Sequence, residues 1–198
     1  MFGTLDDEDH LCGGCMQDPK HFRIARAIGV YDRTCMELIH AFKYRQKIQL
    51  ARPFGMLLFA AFIRHWSDSD IDLIVPVPLH RKRFRKRGFN QTYLIIRALP
   101  GLVDRAIAGG ATLRPIQIDR ECLVRNRLTD PQIGLKRDQR ISNVKDVFDV
   151  SDPSRIAGKG ILLIDDVYTT GATVDACTRV LLKEGARCVD VLTLARAM

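Results

Sequence analysis

No apolar run in the 198 residues approaches the roughly 20 that a membrane-crossing helix needs, so a helical span is excluded. The opening stretch MFGTLDDEDHL lacks the Lys or Arg that a secretory signal carries ahead of its apolar core and has acids instead. No export signal is read there, and a cytoplasmic location is expected. The chain has no internal repeat and no low-complexity tract, which sets aside repeat arrays and compositionally biased linkers. It is too short for two ordinary domains with linkers and long enough for one with a full core. Two local absences are more specific. There is no acid between positions 81 and 87, and there is a single C-x-x-C pair, Cys12 and Cys15.

What is present is ordinary for a folded soluble chain: 46% hydrophobic and 27% charged residues. In a cytoplasmic setting the six cysteines (Cys12, Cys15, Cys35, Cys122, Cys177, Cys188) are expected as thiols or metal ligands rather than disulfides. Cys177 and Cys188 lie in apolar patterns and are expected as small core residues. A net charge of +8 and a pI near 9.4 favour polyanionic partners, nucleic acid or phosphorylated metabolites.

Hydrophobic periodicity sets the fold class. Cys35, Leu38, Ile39 and Phe42 share a helical face, as do Phe54, Leu57, Leu58, Ala61 and Phe62, so two amphipathic helices lead in. IDLIVPVP (71–78) and ILLI (161–164) are continuous apolar runs of the kind a strand buried on both faces shows. NQTYLIIRAL (90–99) predicts a helix capped by Asn90, TVDACTRVLLKEG (173–185) a helix stopped at Gly185, and CVDVLTLA (188–195) a last strand. Strands alternating with helices predict an α/β fold, a parallel sheet flanked by helices, whose ligands bind beyond the carboxyl ends of its strands. Residues 101–147 carry Gly109-Gly110, Pro115 and Pro131 with little periodicity, and are expected as a long mobile loop.

At one such strand end stands ILLIDDVYTTGAT (161–173). Two adjacent carboxylates, Asp165 and Asp166, suit the two neighbouring hydroxyls of a ribose. Thr169, Thr170, Gly171, Ala172 and Thr173 suit a phosphate, which the hydroxyls and backbone N–H groups at a helix start can wrap. A helix cap alone needs one such residue, not two acids and three threonines. The stretch resembles the signature of the type I phosphoribosyltransferases, which bind 5-phosphoribosyl 1-diphosphate (PRPP). The resemblance implies that Asp165 and Asp166 hold the ribose hydroxyls and act as catalytic residues, and that 169–173 hold the 5-phosphate. Tyr168 stands where most members have an aliphatic residue.

The acid-free segment holds six Lys or Arg in seven positions, within VPVPLHRKRFRKRGFNQ (75–91). If strand 71–77 runs parallel to 161–164, the segment starts at the same edge as the acids, and His80, Arg81 and Lys82 are expected to face a diphosphate. Cations interleaved with Phe84 and Phe89 suit single-stranded nucleic acid, with Arg83, Arg85, Lys86, Arg87 and Phe89 as contacts. The alternative is a solvated basic face with both rings tucked into the core.

PVPLHRKRFRKRGFNQ, R.RLTDPQ.GL....R..NV...F (from Arg125), DDVYTTGAT and RAIGVYDRTCMELIHAFKY (26–44), four blocks in order, are together similar to the ComF family, phosphoribosyltransferase-like proteins associated with DNA uptake in competent bacteria. The match spans roughly residues 12 to 196. It implies a phosphoribosyltransferase-like domain over 23–198 after an extension over 1–22, a PRPP site with Mg²⁺, and a flexible loop closing over it that includes Arg125, Arg127, Thr129 and Gln132. It also implies single-stranded DNA binding and a place beside the uptake machinery in natural transformation. As an enzyme the chain would transfer phosphoribosyl from PRPP to an unknown acceptor, Arg81 and Lys82 with Mg²⁺ drawing off diphosphate while the acids stabilise the developing ribosyl charge. As a binding protein it would hold PRPP as a ligand. The alternative function is metabolic, a salvage-type phosphoribosyltransferase with no DNA role. ComF-like chains usually begin with two C-x-x-C units that hold Zn²⁺, and Cys12 and Cys15 supply one of them, a partial zinc ribbon. Either the other unit lies upstream, or His10, His21 or Cys35 substitutes, or the zinc has been lost.

Overall fold

The computed structural model describes residues 19–127 and 146–197. In chain order the elements are β1 (Ala25–Val30), α1 (Arg33–Tyr44), α2 (Ala51–Trp66), β2 (Leu73–Pro76), α3 (Arg81–Arg87), α4 (Gln91–Ile96), α5 (Leu99–Ala108), β3 (Gln117–Ile118), β4 (Leu123–Arg125), β5 (Phe148–Val150), β6 (Gly160–Tyr168), α6 (Ala172–Lys183) and β7 (Cys188–Arg196). Five strands form one sheet in the order β1-β7-β6-β2-β3, every pair parallel, and β4 and β5 pair antiparallel as a separate ribbon. The expected parallel sheet flanked by helices is the observed one.

Each central strand buries both faces, which is why its sequence is a continuous apolar run rather than an alternation. Leu162 and Ile164 of β6 pack under Phe42, Phe54, Leu58 and Ile96 of α1, α2 and α4. Ile161 and Leu163 pack on the other side with Cys177 and Leu181 of α6 and with Leu123 and Phe148 of the ribbon. The α2–α4 contact is close: a Cβ on Gly55 would lie 2.6 Å from the Ile95 carbonyl oxygen, so that position takes only hydrogen.

Local structure departs from the sequence-based expectation in several places. The strand expected over 161–164 runs on to Tyr168, because Asp165, Val167 and Tyr168 continue in register with Thr193, Ala195 and Arg196 of β7. The helix expected over 90–99 opens as read, Asn90 accepting from the backbone of Thr92 and Tyr93, but ends at Ile96. A second helix, α5, begins at Leu99 with Pro100 in its first turn, where a missing N–H costs nothing. Within 101–147, expected to be irregular, lie most of α5, β3 and β4; residues 128–145 fall outside the described residues. The basic stretch is itself a short helix, α3, capped by His80 and ended by Gly88 in a left-handed conformation. β1 has no counterpart in the periodicity analysis, since an edge strand half open to solvent shows no apolar run. His21 and Phe22, in the expected extension, already touch Asp175 and Tyr168 of the main body.

Candidate functional site

β6 delivers Asp165 and Asp166 at the carboxyl edge of the sheet, and successive strand residues leave on opposite faces. Asp166 turns to the α1–α4 side. Its Oδ1 lies 2.7 Å from Lys43 Nζ of α1, and its Oδ2 accepts from Gln91 Nε2 of α4 at 2.9 Å. Asp165 lies on the other side, where its Oδ1 accepts from the Asp166 backbone N–H at 2.8 Å. Burial pushes the Asp165 carboxyl up to about 7; Asp166 adds to the shift, and Lys43 and Arg125 oppose it. Burial works against the Lys43 ammonium, but the charge and hydrogen bond of Asp166 outweigh it and leave its pKa raised. The pair is therefore not two equivalent acids. One is locked into an ion pair, and burial biases the other toward its protonated form.

After the acids the chain turns into α6 through Gly171, whose φ of 75° belongs to the left-handed region. A Cβ there would also clash with the Tyr168 ring, so backbone conformation and space both demand glycine. Tyr168 is buried, with Phe22 edge-on at 6.3 Å and Arg196 over its face at 5.2 Å. The aromatic ring that departs from the usual aliphatic residue thus forms the floor of the turn. α6 starts without a side-chain cap, an arrangement that an anion can complete. Thr169, Gly171, Ala172 and Thr173 line the cavity above the turn. Thr170 is outside that lining, and its hydroxyl lies 3.4 Å from the Ala172 backbone N–H.

The cavity measures about 470 Å³ and takes in both acids, the turn, Lys43, Gln91, Arg125 and part of α3. From α3 it receives Arg83, Lys86 and Arg87. His80, Arg81 and Lys82, expected toward a diphosphate, are outside the lining: His80 is spent on capping α3, while Arg81 and Lys82 are exposed. Burial, followed by the charge of Arg125 and the cations of α3, lowers the His80 pKa. Arg85 points to solvent with Phe84, whereas Phe89 is half-buried 5.7 Å from the Phe42 ring. Arg125 has its guanidinium 5.3 Å from the Phe148 ring centre and burial lowers its pKa. Arg127 is exposed, and Thr129 and Gln132 lie outside the described residues, as do Cys12, Cys15 and His10. Of the other candidate zinc ligands, His21 is bonded to Asp175 and Cys35 is packed against the core. Among the described residues no group of three or more His, Cys, Asp or Glu could hold a metal ion, and no helix is long and apolar enough to cross a membrane.

Lys43 and Gln91, which hold Asp166, carry no signal of that role in the sequence. A lysine on an amphipathic helix looks like any solvated one; only the packing of α1 against β6 shows that it is aimed at a buried acid.

The class this fold and site define is the phosphoribosyl transferase domain, whose family model matches residues 122–198, from β4 through the acid pair and turn to the end of the last strand. Within that class, the chain belongs to the ComF family. It is 30% identical over 200 residues to the DNA utilization protein YhgH of Escherichia coli K12, covering 99% of this chain and 82% of that one. It is 30% identical over 183 residues to competence protein ComFC of Bacillus subtilis 168, covering 92% and 68% respectively, and 28% identical over 190 residues to competence protein F of Haemophilus influenzae. A solved structure, the glutamine PRPP amidotransferase from B. subtilis complexed with ADP and GMP, superposes with a TM-score of 0.42 at 19% identity, over 72% of this chain and a quarter of that one (25%).

Proposed function

We propose that the cavity binds PRPP and that the chain uses it in the handling of single-stranded DNA, in line with the DNA utilization and competence names of its relatives. One observation carries this reading. A single cavity holds an acid pair, an uncapped helix start rich in hydroxyls, and a wall of cations, which are complements to the ribose, 5-phosphate and diphosphate of one molecule. In this arrangement the 5-phosphate sits on residues 169–173 and the ribose at Asp165 and Asp166. The diphosphate faces Arg83 and Arg125, which line the cavity where Arg81 and Lys82 do not.

For a transfer, the bond from ribose C1 to diphosphate breaks, diphosphate departs with the bonding pair, and C1 bonds to the acceptor. The chain's own contribution is electrostatic. Asp165 and the Lys43-held Asp166 oppose the positive charge that develops on the ribose, and Arg83 and Arg125 receive the negative charge on the leaving oxygens. Asp165 is the acid that would help hold a Mg²⁺ brought in with the diphosphate, since both oxygens of Asp166 are already engaged, and the ion would neutralise charge on the leaving group.

The test is thermal. PRPP with Mg²⁺ should raise the melting temperature of the wild-type chain and leave that of an Asp165→Asn plus Asp166→Asn double variant unmoved. An equal rise in both, or none in either, rejects the assignment. Diphosphate release that requires an added strand marks a DNA-linked transferase, release with free bases alone marks the salvage reading, and PRPP binding without release marks a binding protein.

A further inference from the structure

We propose that Tyr44, His40 and Arg87 form a stacking site for an unpaired nucleobase at the mouth of the same cavity, the base belonging to a single strand whose phosphates follow α3. The strand rests on the reading above; the stacking site rests on its own geometry.

Tyr44 is the last residue of α1 and keeps 54% of its surface exposed, so its ring belongs to no core. Its neighbours are arranged rather than random. The His40 ring, one turn earlier, lies 4.5 Å from the Tyr44 ring centre at an angle of 48°, and the Arg87 guanidinium lies 4.9 Å from that centre. Arg87 does not drift, because its Nη1 donates to Gln91 Oε1, and Gln91 is the buried residue whose amide donates to Asp166. All three line the cavity that also takes in Asp165 and Asp166. Two exposed aromatic rings and a planar guanidinium held in place are what a base stacks on, since every base presents a π-face and an aromatic–cation pair presents a matching one.

The charge pattern decides between a free base and a strand. A lone base carries no charge and needs none opposite it. Here Arg83, Lys86 and Arg87 enter the cavity while Arg81, Lys82 and Arg85 stay on the exposed side of α3, with no acid among residues 81–87. A row of cations continuing past the stack suits a backbone with a phosphate at every unit. Phe84, 48% exposed on that helix, offers a neighbouring base a second ring. Phe89, the ring first expected to stack, also lines the cavity but packs 5.7 Å from the Phe42 ring, so it is less open than Tyr44.

The experiment uses the full chain and two labelled strands of equal length, one of thymidylate and one of abasic sites, with binding read by fluorescence anisotropy across a salt series. The wild type should prefer the base-bearing strand by about fivefold or more, the least a stacked base contributes. Tyr44→Ala should abolish that preference without changing the salt slope, Tyr44→Phe should retain it, and Arg81→Gln plus Arg85→Gln, which lie outside the cavity, should flatten the slope while keeping the preference. Tyr44 is exposed, so its variants should melt with the wild type. Thymidine monophosphate that competes as well as the strand would keep the stacking site and remove the strand from it. Equal affinity for both strands in the wild type, or a preference that survives Tyr44→Ala, overturns the site while leaving strand binding intact. A Tyr44→Ala change that only splits a dimer reassigns the face to self-association. Binding of neither strand nor nucleotide overturns the stacking site and the DNA reading together, whereas loss of the PRPP melting shift with the base preference intact rejects only the PRPP reading.

Discussion

Lys43 is the residue on which the acid pair depends. It crosses from α1 to Asp166 with its side chain four-fifths hidden, and its charge also acts on Asp165. Two adjacent carboxylates in a buried position repel each other, and without a cation at least one must hold a proton. The Asp165 carboxyl, raised to about 7 by burial and Asp166, shows that one lysine only partly compensates. A carboxyl raised in the folded state binds protons that the unfolded chain has released, so its favourable contribution is complete below pH ~4 and is lost as pH rises through ~7. Lys43→Met should therefore cost more at pH 8, where both acids must be charged, than at pH 5, where Asp165 carries a proton. We expect about 3 kcal/mol at the higher pH and a smaller loss at the lower, measured by urea unfolding. Equal losses at both would mean that the ammonium contributes by packing alone.

At the scale of the element, β6 and the turn after it act as one unit. The strand holds its register through Tyr168, the Tyr168 ring supports the turn, and Gly171 lets the chain pass over that ring into α6. Gly171→Ala puts a methyl group into the tyrosine and a side chain at positive φ. It should cost roughly 1–3 kcal/mol, seen as a lower melting temperature, and should weaken PRPP binding more than that loss of stability explains. Tyr168→Leu in the same background should recover part of the stability by vacating the space, whereas no recovery would show that backbone conformation alone sets the cost. The buried strands and the Asn90 cap were legible because a continuous apolar run and a helix cap are local signals. The α4–α5 break was legible only in hindsight from Pro100. α3 was not, since a run of cations with one phenylalanine has no periodicity and its limits rest on His80 and Gly88.

Across the whole molecule, the end of the sheet opposite the cavity is tied by a second charged cluster. Arg23 donates from Nε and Nη2 to the two oxygens of Asp190, at 2.9 Å each, and Nη2 also reaches Asp70. Trp66 Nε1 donates to the same Asp190 at 2.8 Å, and Arg187 joins Asp70 to Asp72. Asp190 is wholly buried, so its charge is tolerated only with these partners. Arg23→Ala should destabilise the fold by about 3 kcal/mol with PRPP binding unchanged once the fold is saturated, read from paired urea and binding titrations. Arg23→Lys should recover less than half, because an ammonium cannot span both oxygens of Asp190 while also reaching Asp70.

The sequence by itself determined the parallel α/β architecture, the position of the acid pair and hydroxyl turn toward the carboxyl edge of the sheet, and the basic character of the segment after β2. These are written in runs of neighbouring residues, where side-chain period, caps and motif spacing act over a few positions. Only the tertiary structure decided which cations face the cavity, that Lys43 and Gln91 hold Asp166, that Phe89 is packed inward and that Tyr44 stands open. Those outcomes depend on which residues of α1 and α4 come to lie against β6 and on which side of α3 meets the cavity. The rotation of a packed helix about its axis is set by all the side chains it buries together, not by any stretch of its own sequence.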